Sequence, residues 1–294
     1  MIFKLMKQQR EDFPVVQMCS IFGVSPSGYY AWLNRKPSAR ARENEKLLFE
    51  IKVAYAESRK TYGSPRIHRA LRRKGIVCGR NRVARLMRRN GLRARRRRRR
   101  YPKTTQRAAD VLAASNLLKG NFKVSGPNQV WVSDITYIDT AEGWLYLATV
   151  MDLFDRPIVG WALEDHMESS LVEDAFKMAV TRRQPELGWV HHSDQGSQYT
   201  SHTFRELLAA VGCRPSNSSV GNCYDNAAAE SLFSTVKFEC AYQQFTTRAE
   251  ARRAIFEYIE VWYNRKRLHS SLGYLSPAEF AQQNSDIFRV HLYG

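Results

Sequence analysis

Three acidic residues define the chemistry open to this sequence: Asp134, Asp194 and Glu230. Asp134 interrupts the apolar run VWVSDITYI, Asp194 ends the run GWVHHSD, and Glu230 lies in the helix-like stretch AAAESLFSTVKFE. The intervals between them hold 59 and 35 residues. A single Asp at a strand end is a common turn or cap residue. Two of them, joined by a third acid from a helix, suit hard cations. Mg²⁺ takes oxygen ligands, usually one or two carboxylates together with substrate phosphates and water. A pair of such ions clamps the attacking and leaving oxygens of an in-line displacement at phosphorus. The expectation is phosphoryl transfer with two Mg²⁺ (or Mn²⁺) ions, Asp134, Asp194 and Glu230 being both the catalytic residues and the metal ligands. His191 and His192 adjoin Asp194. Because Mg²⁺ prefers oxygen, a structural or substrate contact is expected of them, with His192 shaping the site. Asn222, Asp225 and Asn226 precede Glu230 and either shape the site or serve as turn and cap residues.

The elements that must carry these residues are legible in the hydrophobic pattern. VWVSDITYID, WLYLATVMDLF (144–154) and RPIVGWAL (156–163) read as three strands, with AEG (141–143) as the turn between the first two. A helix over 169–183, a short strand GWVHHSD, a helix over 201–211 and a short strand near Cys213 to Ser216 follow. A meander followed by alternating helices and strands gives a mixed sheet covered by helices. Residues 247–263 form another amphipathic helix. In the segment after it, Arg265, Arg267 and His269 are candidates to touch DNA, while Leu268, Leu272, Tyr274 and Phe280 pack on the core.

Charge divides the chain. Residues 1–120 hold 31 Lys and Arg against 7 Asp and Glu, and the remainder holds 15 against 21. A basic front end on a mildly acidic globular module points to nucleic acid. Residues 14–33 read as helix, turn, helix, with Gly23 as the stop, Ser25 as the cap and Val16, Ile21, Val24, Tyr29 and Trp32 as a small core. That pair is either a DNA-binding unit or a plain helical hairpin. A helix is expected over 43–59, a second from Ser64 to Gly75 and a third from Arg80 to Asn90. The third would bury Val83, Leu86 and Met87 and present Arg80, Asn81, Arg82, Arg85, Arg88 and Arg89 to DNA, the helix-turn-helix mode of docking. Arg95, Arg96, Arg97 and Arg98 open a basic run that self-repels without an anion and reads as a phosphate-contacting arm.

The five cysteines are odd in number, widely spaced and include no CxxC pair, which argues against a zinc ribbon or a disulfide framework and fits a reducing cytoplasm. No run approaches a membrane helix, and the first residues lack a signal-peptide core. The expected organisation is multidomain. A helix-turn-helix-like segment (1–42) and a helix-turn-helix DNA-binding domain (43–94) come first, then a basic linker (95–125). An α/β catalytic core with a mixed sheet (126–240) and a C-terminal helical extension (241–294) complete it.

Seven segments together resemble one family: FGVSPSGYYAW, YGSPRI, RVARLMRRNGL, WVSDITYI, HSDQGSQY, GNCYDNAAAESLFSTVK and YNRKRLHSSLGYLSP. In this order, over nearly the whole chain, they resemble the transposases of IS-three-type insertion sequences, the product of their second reading frame. The resemblance implies a DDE recombinase with the ribonuclease-H-like core of retroviral integrases. It implies metal binding by Asp134, Asp194 and Glu230, and a DNA contact at Lys237, which shares a helix face with Glu230 and Ser234. Ser133 and Ala229 depart mildly from the family pattern. The activity implied is cleavage of DNA 3′ ends and strand transfer on terminal inverted repeats and target DNA. A homodimer or larger assembly on paired ends, and an upstream-frame protein as fusion or partner, are also implied, on nucleoid DNA in a bacterial cytoplasm. The alternative is a non-catalytic regulator that occupies the element ends.

Overall fold

The computed structural model describes residues 2–95, 114–219, 226–242 and 244–292. Arg96, Arg97, Arg98, Asn222 and Asp225 lie outside the described residues.

The front end is helical: α1 (Ile2–Gln8), α2 (Val15–Ile21), α3 (Pro26–Leu33), α4 (Ala39–Glu57), α5 (Ser64–Arg73) and α6 (Arg80–Arg89). Ser25 caps α3, its hydroxyl accepting the Gly28 N–H at 3.0 Å, and Gly23 turns the chain at φ 62°. The small core beneath is the expected one in part: Tyr29 is buried and Val24 and Trp32 pack on it, but Val16 and Ile21 do not. Val16 and Ile21 are 68% and 79% exposed, and the buried set is Met6, Met18, Cys19 and Tyr29. The reason is α1, an unforeseen helix whose Phe3 and Met6 pack on Tyr29 and so select the other face of α2. In the next unit, Leu47, Ile51 and Ala54 of α4 meet Ile67 and Leu71 of α5 and Val83, Leu86 and Met87 of α6, the spacing that amphipathic helices require.

The core is a five-stranded sheet of β1 (Val130–Thr140), β2 (Gly143–Asp152), β3 (Ile158–Glu164), β4 (Val190–Ser193) and β5 (Arg214–Asn217), in the order β3-β2-β1-β4-β5. The first three strands are antiparallel, and β1, β4 and β5 are parallel. Side chains alternate across a strand, and the two faces bury different sets. Trp131, Ala148, Val150 and Val159 pack with α7 (Ser169–Arg183), α8 (Ser197–Thr200) and α9 (His202–Ala210). Val130, Val132, Ile138 and Leu147 pack with α10 (Ala227–Glu239) and α11 (Arg248–Phe256). At Gly160 the backbone of α7 approaches so closely that a Cβ would lie 2.0 Å from the Ala175 carbonyl oxygen.

The helix expected over 247–263 changes character partway: α11 gives way to a π-helical stretch, Glu257–Tyr263. It buries Tyr258, Ile259, Trp262 and Tyr263. Helix α12 (Pro277–Leu292) follows. Tyr62 of the front end packs on Trp262 at 5.9 Å, and the Tyr62 hydroxyl accepts the Leu268 N–H at 2.7 Å. The front helices, the sheet and the C-terminal segment therefore share one apolar cluster. Among the described residues no helix is long and apolar enough to cross a membrane.

Candidate active site

Strand register brings the first two carboxylates together. Val130 pairs with Val190 and Val132 with His192 across the parallel β1–β4 ladder. Continuing that register by two residues sets Asp134 beside Asp194 on the same face, with neighbouring strands ~4.8 Å apart. Both are half-buried. Asp134 Oδ1 accepts the Ile135 N–H at 2.8 Å and Oδ2 accepts Asn226 Nδ2 at 3.0 Å. Asp194 Oδ1 accepts the Gly196 N–H at 2.9 Å. Burial, and next the charge of Asp194, push the Asp134 carboxyl up to about 8, with Glu230 adding in the same direction. Burial also raises Asp194.

Glu230 stands on the first turn of α10, the helix packed against β1, and its side chain is exposed. The donor atoms of the three acids do not all fall within 4.8 Å of one another; among the described residues only Glu164, Asp165 and His166 do so. That second group is already neutralised, with Arg252 at 3.3 Å from Glu164 and Arg248 at 3.0 Å from Asp165. Lys237 lies two turns after Glu230 and places its ammonium 3.8 Å from the centre of the Tyr137 ring. Burial lowers its pKa, and the Asp134 charge opposes that shift.

The donor set fits divalent cations. Two carboxylates are forced together, and two orphaned polar atoms lie beside them. Asn226 Oδ1 and the Tyr199 hydroxyl are buried without a hydrogen-bond partner, which is uncommon for buried polar atoms. Burial raises the Tyr199 pKa, and the charges of Asp134 and Asp194 raise it further. Tyr199 and Asn217, whose Nδ2 donates to the Asp194 carbonyl at 2.9 Å, escaped the sequence reading. The one signal for Tyr199 was its place in the HSDQGSQY segment. Both histidines face the protein interior. His191 contacts the Ser133 hydroxyl at 2.7 Å and His192 the Ser216 hydroxyl at 2.9 Å, both fully within the protein. Burial and then His192 hold His191 neutral, its pKa down at about 3.

Of the arginines on α6, Arg80, Arg85, Arg88 and Arg89 are exposed, as is Asn81. Arg82 is not on that outer face. It donates to Asn44 Oδ1 at 2.8 Å and pairs with Glu43 at 3.1 Å, tying α6 to α4. Arg95 stacks over the Tyr242 ring at 3.3 Å. Arg267 and His269 are buried, 5% and 8% exposed, which corrects the expectation that they touch DNA from the surface. Arg267 forks onto both oxygens of Glu239 at 2.9 and 3.0 Å. Leu268 and Leu272 are buried, and Phe280 meets Phe154, as the packing role requires.

Comparisons with known proteins agree with this architecture. The integrase core domain family matches residues 124–223 and a second integrase core domain family residues 211–277, while an HTH-like domain matches 42–100. The chain is 44% identical over 267 residues to the insertion element IS600 uncharacterized 31 kDa protein of Shigella sonnei, covering 90% of this chain and 98% of that one. It is 38% identical over 287 residues to the transposase InsF for insertion sequence IS3A of Escherichia coli (strain K12), covering 97% and 99%. The HTLV-2 integrase catalytic core domain in complex with magnesium is a looser likeness, with a TM-score of 0.40 and 14% identity over 53% of this chain and 97% of that one.

The helix-turn-helix-like front end and the ribonuclease-H-like core with its mixed sheet define a DDE transposase acting in DNA transposition. The chain belongs to the family of insertion-sequence transposases of the IS3 type.

Proposed function

We propose that the chain binds the terminal inverted repeats of its element and cuts and joins DNA 3′ ends, with Asp134, Asp194 and Glu230 as ligands of two Mg²⁺ or Mn²⁺ ions. The observation that carries this reading is the approach of Asp134, within β1, to Asp194, just past the end of the adjacent parallel strand β4, beside a helix bearing Glu230 and Lys237. Bound there, divalent cations would relieve charge at phosphorus and lower the pKa of a water.

The protein's own groups do the rest. Asp134 and Asp194 present oxygen ligands, which the Ile135 and Gly196 N–H groups hold in place. Asn226 fixes the second oxygen of Asp134. Glu230, exposed on the first turn of α10 and within electrostatic reach of Asp134, completes the ligand set. Lys237, its ammonium over the Tyr137 ring, holds the phosphate of the strand being processed. Exposed Arg80, Asn81, Arg85, Arg88 and Arg89 grip end DNA, and Arg95 to Arg98 extend that grip along the backbone. The front end (1–42 and 43–94), linker (95–125), core (126–240) and C-terminal extension (241–294) are the working units. Two copies or more, with the upstream-frame protein as fusion or partner, pair the ends on nucleoid DNA in the bacterial cytoplasm.

A regulator that only occupies the ends is not favoured. It has no use for half-buried carboxylates kept side by side at an unfavourable pKa. Labelled end DNA separates the two readings. Mg²⁺-dependent cleavage is expected, and binding without cleavage in any divalent metal would favour the regulator.

A further inference from the structure

A cavity of about 160 Å³ opens where the front end, the sheet and the C-terminal segment meet. A water molecule needs only ~10–15 Å³ of such space, so the cavity has room for a larger polar group. Its walls come from four separate parts of the chain: Arg66 of α5, Arg156 at the β2–β3 turn, Ser231 and Thr235 of α10, and Arg267 with Ser271 of the C-terminal segment. None of Asp134, Asp194, Glu230 and Lys237 lines it. The cavity is therefore separate from the carboxylate site.

Positive charge is in excess here. Glu239 is the acid that faces Arg267, and it is shared: Arg267 occupies both of its oxygens, and Arg66 reaches it only at 3.8 Å. Arg156 forms no ion pair among the described residues, although Asp152 lies within electrostatic reach. It also holds φ at 65°, a conformation uncommon for a residue with a side chain and worth a functional reading. His269 reports the same convergence. Burial and then Arg267, Arg66 and Arg156 keep its ring neutral, with a pKa of about 2. Guanidinium groups are the donors best matched to phosphate oxygens, and the hydroxyls of Ser231 and Ser271 add donors on the rim.

We propose that this cavity is a phosphate site that takes a phosphodiester of the DNA backbone, gripped by Arg66 and Arg156 while the Arg267–Glu239 pair holds the wall. A backbone phosphate seated there bridges the helix-turn-helix unit, the core and the C-terminal segment, so DNA itself fixes their relative placement. The assignment rests on the DNA-handling reading only for the source of the phosphate.

The test uses the full-length chain without divalent metal, so failure of the catalytic reading cannot affect it. Fluorescence anisotropy on labelled end duplex gives the dependence of binding on salt for wild type, Arg156→Gln and Ser271→Glu. The second variant places an acid at an exposed position on the rim and guards against misfolding of the first. Each is expected to bind several-fold more weakly and to show a log–log salt slope shallower by about 0.9, one phosphate contact. Inorganic phosphate, compared with chloride at equal ionic strength, is expected to raise the Tm of wild type and of neither variant. Wild-type slopes and a wild-type phosphate response in both variants would overturn the site. A lost phosphate response with unchanged DNA slopes would overturn the DNA assignment and leave free phosphate as the ligand.

Discussion

At the scale of single residues, the site stores electrostatic conflict. Asp134 holds a carboxylate where burial and Asp194 both disfavour charge, and its pKa stands at about 8 against an ordinary 3.8. A carboxyl raised in the fold makes the folded state bind more protons between those values, so stability falls as pH rises through the window. Asp134→Asn removes the charge, and Asn226 can turn its amide to meet the new one. In chelator the variant is expected to melt a few degrees above wild type at pH 7.5, at roughly 2–4 °C per kcal/mol for a chain of this size, and to lose that advantage near pH 4. Thermal melts across that range check it; a variant that is less stable at every pH would contradict it. Lys237→Ala is expected to lower cleavage at least ~10-fold while end binding through the front helices holds. That split reports a strand-positioning role.

The acids were legible because their types are costly at those places in the pattern, whereas Lys237 was reached only through the family resemblance, since a lysine on a helix otherwise reads as solvated surface. Tyr199 was not legible, since a tyrosine in the polar stretch QGSQYTS carries no periodic signal, and only the short helix α8 brings it within electrostatic reach of Asp134 and Asp194. Arg82 was misplaced for a related reason. Helical periodicity puts a residue on a face, but the partners Glu43 and Asn44 lie on another helix, and no local pattern shows them.

At the scale of elements, close approach decides what the sequence tolerates. Helix α7 rests on β3 through Gly160, where an added Cβ would meet the Ala175 carbonyl oxygen and the Ala179 N and Cβ. Backbone cannot yield cheaply, so Gly160→Ala is expected to cost at least ~1–3 kcal/mol, the range for overpacked cores. Urea unfolding of the metal-free chain measures it, and a loss below ~0.5 kcal/mol would show that α7 slides freely. The five strands were readable from short, mostly apolar runs bounded by turn residues, and the long helices from apolar residues at spacings of three and four. Helix α1 was not, because its seven residues are too few for a periodic signal. Its presence reassigned the buried face of α2. The π-helical stretch Glu257–Tyr263 also escaped, since a wider turn still carries apolar residues at near-helical spacing.

At the scale of the whole molecule, buried titratable groups oppose one another. His191 and His269 have pKa values held at about 3 and about 2, chiefly by burial. An imidazole depressed in the fold gives stability that is full above its unfolded pKa near 6.5 and is lost as pH falls below it. Asp134 and Asp152, raised to about 8 and about 6, act the other way. The summed profile is therefore shallow, and a single variant exposes its parts. His191→Asn is expected to recover ~2 kcal/mol relative to wild type between pH 7 and pH 5, at 1.36 kcal/mol per pK unit. Parallel stability profiles for the two proteins would contradict that. The shared apolar cluster from Leu47 to Leu268 means that the front end reports on the core, and melting should be a single transition.

The claim on which the rest depends is that Asp134, Asp194 and Glu230 act together through divalent metal. The direct measurement is 3′ cleavage of labelled end DNA in Mg²⁺ by wild type, Asp134→Asn, Asp194→Asn and Glu230→Gln, with binding to the same DNA measured alongside. The account predicts cleavage by wild type alone, a loss of at least ~100-fold in each variant, comparable to removing one group that stabilises transition-state charge, and unchanged binding. Wild-type cleavage by any one of the three variants, or by wild type in chelator, would contradict it.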